Sequence, residues 1–340
     1  VHGIDRDRVS AWLTANVQGA REPFGLELIV GGRSNLTFRV TASDGRRFVL
    51  RRPPTGHVLA TAHDMAREHR IITAVGRTGV PVPRTLGLCV DEAVNGAPFY
   101  VMEFVDGEVL DAPEKCAGMT LEARRSAGEH LVDVLAELHA ADVDAIGLGD
   151  LARRDGYVER QLRRWSAQWA NSKTRELPAI DEVAAHLSAD VPEQRGVSVV
   201  HGDYRFGNVL TDVEHGRITA VLDWELCTLG DPLADLGYLG VYWADADGEA
   251  RRNDPTGAPG FPTYAEVVER YAERTGRDVS RIDYYVAFSS WRLAVISEGV
   301  YARYLHGAMG DQPDPEALVQ FREGTEDLAA KALDAVRRLP

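Results

Sequence analysis

The chain has 340 residues, 44% of them hydrophobic, which is enough to bury a sizeable core in two domains or in one large two-lobed unit. Asp and Glu number 52 against 38 Lys and Arg, and the net charge of -14 opposes attraction to nucleic acid or to anionic membranes. Cys89, Cys116 and Cys227 are far apart, with no C-x-x-C pair, so neither a disulfide framework nor a zinc site is expected.

No apolar run reaches the length of a membrane span, and V-H-G-I-D-R-D at the start has no apolar leader segment. A cytoplasmic location is the expectation. From Leu26 the pattern is one of short strands: L-E-L-I-V at 26–30 and L-T-F-R-V at 36–40 flank G-G-R-S-N, and R-F-V-L-R at 47–51 follows the turn signal S-D-G-R. A helix is predicted over 61–75, with Met65, Ile72 and Val75 near one face, ending before V-P-V-P at 80–83. Two further strands, 86–90 and 99–104, are joined by a loop that contains the turn dipeptide Asn95-Gly96.

After Val105 the character changes. Leu131, Val134, Leu135 and Leu138 repeat at helical spacing within 121–139, and helical patterns dominate from there on. The expected organisation is an N-terminal nucleotide-binding lobe over 1–104, a hinge over 105–112 and a catalytic and substrate-binding lobe over 113–340. The polar stretch 244–260, with its Gly and Pro, reads as a surface loop. In 281–301, Tyr284, Phe288, Trp291 and Val295 recur at helical spacing and are expected in the core.

The chemistry concentrates in H-G-D-Y-R-F-G-N at 201–208, which follows the apolar V-S-V-V at 197–200. Phosphoryl transfer from ATP to a hydroxyl needs metal ions on the phosphates and a carboxylate beside the attacking oxygen. Asp203 suits the base, and Asn208, five residues on, is a neutral oxygen ligand for Mg2+. A second metal ligand, Asp223, ends the apolar run I-T-A-V-L-D. Asp231 with Pro232 also satisfies a plain helix N-cap pattern.

This strand, loop, strand and acidic-residue order is similar to the core of protein-kinase-like enzymes, in which H-R-D-x-x-x-x-N precedes a metal-binding Asp; here the arginine is Gly202. H-G-D-x-x-x-x-N, then L-D-W and G-D-P-L-A-D-L at 230–236, resembles the aminoglycoside phosphotransferase family. The stretches at 156–165 and 222–236 more closely resemble the branch that includes kinase-like domains fused to acyl-CoA dehydrogenases. The resemblance implies an α+β, bilobal protein-kinase-like fold: a small antiparallel-sheet N-lobe with one main helix and a larger, mainly helical C-lobe. It also implies ATP and Mg2+ as cofactors and a small-molecule hydroxyl acceptor. His201 would then scaffold the catalytic loop, Asp235 would brace it, and Arg205 would face the transferred phosphate.

In the nucleotide half, Gly32, Arg33, Ser34 and Asn35 occupy the place of a phosphate-covering loop without a full G-x-G-x-x-G. The third strand carries Arg51 where a lysine is usual, and the helix offers Glu68 as its partner. By the same resemblance, backbone groups of Glu103 and Val105 would hydrogen-bond adenine at the hinge.

Three functions compete. A protein kinase is disfavoured, because only seven residues separate Asp223 from Asp231 and no A-P-E follows. A nucleotide-binding pseudokinase with a regulatory role is the alternative to an active phosphotransferase. On the acceptor side, Arg153, Arg154, Arg160, Arg163 and Arg164 cluster in L-A-R-R-D-G-Y-V-E-R-Q-L-R-R-W, which suits an anionic acceptor such as a hydroxyacyl-CoA, or forms a solvated helix face.

Overall fold

A computed structural model describes residues 3–29, 35–55, 64–244, 254–305 and 315–339. The first helix, α1 (Arg6–Asn16), starts on Asp5, whose carboxylate accepts the Arg8 amide, and it buries Val9 and Leu13 one turn apart. Sequence pattern had not marked it, because its apolar stripe is only these two residues and Trp12. Strands β1 (Gly25–Leu28), β2 (Leu36–Thr41) and β3 (Arg47–Arg52) follow, then α2 (Met65–Val75), β4 (Thr85–Cys89), the short α3 (Glu92–Asn95) and β5 (Phe99–Glu103). Asn95 and Gly96 close α3, with Gly96 in the left-handed region at φ 71°, so the expected turn is a helix end.

The strands form one antiparallel sheet in the order β1-β2-β3-β5-β4. Alternation along each strand divides it into two faces. Phe48 and Leu50 of β3, with Phe99 and Val101 of β5, pack with Phe38, Val9 and Leu13 under α1, and Trp12 meets Phe99 edge-on at 4.9 Å. Val49, Tyr100 and Met102 face the other way, onto Met65, Ile72 and Val75 of α2. Arg51 is paired in register with Tyr100, so it lies on this inner face, and that places its side chain toward α2.

The chain leaves β5 through 104–112 and becomes helical: α4 (Leu121–Ala140), α5 (Tyr157–Ser172) and α6 (Pro178–Ala189). Then come β6 (Ser198–Val200), the hairpin β7 (Val209–Asp212) and β8 (Arg217–Val221), and β9 (Thr228–Gly230), which pairs with β6. Helices α7 (Leu233–Val241), α8 (Tyr264–Thr275), α9 (Ile282–Leu305) and α10 (Pro315–Arg337) complete the larger lobe. Tyr284, Phe288, Trp291 and Val295 of α9 are all buried in its core, as their spacing predicts. Of the polar stretch 244–260 expected as a surface loop, residues 245–253 lie outside the described residues. The part that follows is not all at the surface: Asp254, Pro255 and Thr256 are buried at a short 3-10 turn that Asp254 caps through the Thr256 amide. Cys89, Cys116 and Cys227 are buried free thiols.

The result is a bilobal, protein-kinase-like α+β fold, a small antiparallel sheet set on a mainly helical lobe; α1, as long as the expected main helix α2, covers the sheet's other face. The inner face of the sheet and the β7–β8 hairpin meet at the junction of the lobes.

Candidate active site

Strand β6 delivers His201, Gly202 and Asp203 to this junction, and α7 fixes them from below. The carboxylate of Asp235 accepts the backbone amides of His201 at 2.6 Å and Gly202 at 2.8 Å. His139 of α4 meets Asp235 through Nε2 at 3.2 Å, and its Nδ1 lies 2.8 Å from the Tyr271 hydroxyl. Burial opposes the charge on Asp235, but the contacts with His139, His201 and the Gly202 amide hold it below the ordinary carboxylate range. Asp231 lies one residue before Pro232, which occupies the α7 cap position in place of the expected Asp231; it accepts the Leu233 amide and the Tyr285 hydroxyl at 2.7 Å, and burial dominates and pushes its carboxyl up.

His201 is fully buried between Tyr204 and Trp224. Its Nε2 bonds the Leu222 carbonyl at 2.9 Å and its Nδ1 receives the Asp203 amide at 3.2 Å, so the ring ties the β6 exit to the end of β8. Asp223 follows Leu222 in the left-handed region at φ 63°, alone in this among the described non-glycine residues. Asp tolerates that conformation better than bulkier residues.

Asp203 is met by three donors. Asn208 Nδ2 binds its Oδ2 at 2.6 Å, the Tyr238 hydroxyl binds Oδ1 at 2.5 Å, and Arg205 Nε lies 3.3 Å from the same oxygen. Asn208 Nδ2 also donates to the Asp203 carbonyl, so its nitrogen is committed and the amide oxygen is turned elsewhere. Arg205 stacks over Tyr242 at 5.0 Å; although burial works against its charge, Asp203 and the two tyrosines favour the cation and raise its pKa.

On the small lobe, Arg51 gathers three acids. Its Nε lies 3.1 Å from Glu68 Oε2, its Nη2 2.6 Å from Asp223 Oδ1, and Glu225 stands 4.0 Å away. Burial disfavours the guanidinium charge, yet Tyr100, Glu68, Asp223 and Glu225 together raise its pKa. Glu68 is pushed above the usual carboxylate value by burial, which outweighs Arg51 and the hydrogen bond from Tyr100 at 3.0 Å. Asn35 donates to Glu68 at 3.1 Å and to Glu225 at 3.4 Å.

The structure thus brings Asp203, Arg205, Asn208, Asp223, Arg51, Glu68 and Asn35 to one junction, with His201, Asp231 and Asp235 beneath. Gly32, Arg33 and Ser34 lie outside the described residues. Glu103 and Val105 sit where the chain leaves the sheet, and the Glu103 amide is taken by the Arg84 carbonyl. An oxygen of Asn208 and the part-exposed carboxylate of Asp223 suit a hard cation that completes its shell with water and phosphate, as Mg2+ does.

Sequence reasoning missed Tyr238, Glu225 and Arg292. Tyr238 is three residues past Asp235, on the same helical face; Glu225 is two past Asp223; Arg292 is a single charge inside the apolar run Y-Y-V-A-F-S-S-W-R-L-A-V-I. Each carried a local signal, but none its partner.

Residues 25–281 match the phosphotransferase enzyme family. The chain is 35% identical over 308 residues to mouse acyl-CoA dehydrogenase family member 10, covering 89% of this chain and 28% of that protein. It therefore spans well under half the length of that relative. A crystal structure from Ralstonia eutropha, provisionally described as an aminoglycoside phosphotransferase, superposes with a TM-score of 0.81 at 34% identity, covering 96% of this chain and 98% of the other. The GDP complex of aminoglycoside 2'-phosphotransferase-IIIa shares the fold, with a TM-score of 0.66 at 15% identity over 96% of this chain and 99% of that one.

Proposed function

Because the chain belongs to the phosphotransferase enzyme family, we propose that it moves the γ-phosphate of ATP to a hydroxyl of a small molecule. One observation carries the reading: a carboxylate, Asp203, is hydrogen-bonded by Asn208, whose backbone carbonyl takes the amide of Leu222 just before Asp223, and Asp223 meets Arg51 and, through it, Glu68 from the small lobe. Asp203 takes the proton of the acceptor hydroxyl as its oxygen attacks the γ-phosphorus, the bond from that phosphorus to the β-phosphate oxygen breaks, and ADP leaves. Arg205 offsets charge on the transferred group. Asn208 and Asp223 would hold Mg2+, which neutralises phosphate charge when bound.

Arg51 contacts the phosphates and is oriented by Glu68, and the same proposal assigns Gly32, Arg33, Ser34 and Asn35 to phosphate binding. Backbone groups of Glu103 and Val105 meet the adenine. His201, Asp231 and Asp235 fix the loop. A cytoplasmic location without nucleic-acid or membrane partners belongs to the same proposal, supported by the net charge of -14.

For the acceptor, a hydroxyacyl-CoA is favoured over a cationic aminoglycoside. Arg160, Arg163 and Arg164 share a face of α5, with Arg163 and Arg164 exposed, and Arg153 is exposed just before the helix. Arg154 is engaged with Asp144 and the Gly149 carbonyl, and Arg160 with the Arg153 carbonyl, so the free part of the cluster is smaller than the sequence suggests. Similarity to a protein named as an acyl-CoA dehydrogenase family member supports the same choice.

The pseudokinase alternative draws on the Arg51–Asp223 pair, which engages the metal carboxylate directly. A metal-dependent phosphorylation screen against hydroxyacyl-CoA esters, aminoglycosides, sugars and amino alcohols separates the readings. Turnover of a hydroxyacyl-CoA is the expected result, and ATP binding without turnover of any acceptor would favour the alternative.

A further inference from the structure

Gly202 stands where the related kinase motif has arginine, and it cannot carry a side chain here. Its φ is +85°, and a Cβ would come within 2.9 Å of the Leu226 carbonyl oxygen. A guanidinium nevertheless reaches this point from α9, ninety residues away. Arg292 Nη2 donates to the Gly202 carbonyl at 2.8 Å.

The same guanidinium lies 5.0 Å from the Tyr238 ring centroid and 6.0 Å from that of Phe288. Tyr238 in turn donates its hydroxyl to Asp203. Arg292 therefore touches both the backbone just before Asp203 and the ring whose hydroxyl holds the Asp203 carboxylate.

A buried charge is costly unless it is compensated. Arg292 is only 7% exposed, forms no ion pair among the described residues, and leaves its Nε buried without a hydrogen-bond partner. The aromatic faces, the Gly202 carbonyl and a polar side-chain contact with buried Tyr157 offset part of this cost, and a core position of this kind on α9 would otherwise be apolar.

We propose that Arg292 is a positioning residue for Asp203, pinning the Gly202 carbonyl and the Tyr238 ring so that the carboxylate is held toward the acceptor hydroxyl. This rests on Asp203 being the base. The mechanism does not require Arg292 to touch nucleotide, so its effect should fall on kcat.

The test measures kcat and the KM for Mg-ATP, with the best acceptor from the screen, in Arg292→Ala, Arg292→Lys and Tyr238→Phe. Misplacing a reacting group by about 1 Å can lower rates roughly 10²-fold, and a loss of that order is expected for Arg292→Ala, with the KM for Mg-ATP within about twofold of wild type. Arg292→Lys should recover part of it, and Tyr238→Phe should lose about tenfold. Combining Arg292→Ala with Tyr238→Phe should cost less than the product of the two single losses, because Tyr238 is one of the two routes by which Arg292 reaches Asp203.

Added methylguanidinium should restore turnover to Arg292→Ala but not to Asp203→Asn, a response that a merely structural defect would not give. If Arg292→Ala fails to fold, Arg292→Lys and Tyr238→Phe carry the test. Wild-type kcat in any folded Arg292 variant, or a loss shared equally by kcat and the KM for Mg-ATP without guanidinium rescue, would overturn the proposal alone. A wild-type protein that phosphorylates nothing would overturn the phosphotransferase reading, and this one with it.

Discussion

Asp203 owes its geometry to groups drawn from two places in the chain: Asn208, Arg205 and the Asp235-bound amides of its own loop, and Tyr238 with Asp235 from α7. Replacing the carboxylate with an amide of the same shape removes the proton acceptor while sparing most of this packing. Asp203→Asn is therefore expected to lower kcat by roughly 10²- to 10⁴-fold, with nucleotide affinity changed little. Steady-state turnover beside calorimetric Mg-ATP titration checks both halves. Wild-type turnover in the variant would remove Asp203 from the chemistry.

At the scale of elements, α7 is the part that assembles the site. All nine of its residues are buried, and it presents Asp235 and Tyr238 on one face. It lies so close to its neighbours that a Cβ on Gly237 would come within 2.5 Å of the Tyr285 backbone, and one on Gly240 within 2.4 Å of the Tyr264 ring. The α4 helix supports it through His139, and α4 is clasped in turn to α8. Asp133 accepts both forks of Arg270 and of Arg274, at 2.8 to 3.0 Å.

Burial alone would raise the Asp133 carboxyl, but the two guanidiniums outweigh it and lower its pKa. A depressed folded value means that the stabilisation is complete above the unfolded value of about 3.9 and is lost as pH falls through the lower folded value. Asp133→Asn should accordingly destabilise the protein by roughly 1–3 kcal/mol at pH 7. The gap should close in the acid range below about pH 4. Urea unfolding of both proteins across that range measures it, and a gap independent of pH would show that the clasp does not depend on the carboxylate charge.

Across the whole molecule, α2 is held by both lobes. Arg67 donates to the Cys227 carbonyl at 2.6 Å, Arg70 donates to the Gly147 carbonyl at 2.8 Å and pairs with Asp150, and Arg51 joins Glu68 to Asp223. A ligand seated at this junction stabilises contacts from both lobes at once. Mg-ATP at a hundredfold excess over its Kd should add about 2.7 kcal/mol to unfolding free energy. Asp223→Ala should abolish the metal-dependent part of that gain. Thermal unfolding with ATP, with and without Mg2+, reads the difference, and an equal gain in the variant would place the metal elsewhere.

Local pattern determined much of this protein. Strand alternation put Arg51 on a definite face of β3, the H-G-D-x-x-x-x-N spacing grouped Asp203 with Asn208, and the apolar run before Asp223 marked the hairpin that carries it. Such features depend on neighbours within a few residues, so the backbone periods of strand and helix expose them. What only the tertiary structure decided was partnership. Tyr238 reaches Asp203 across 35 residues, Arg292 reaches Gly202 across 90, and Asn35 reaches Glu225 across 190. Contacts at such separations arise from how α7, α9 and the two lobes pack against one another, and side-chain periodicity along one segment carries no record of which distant segment it will meet.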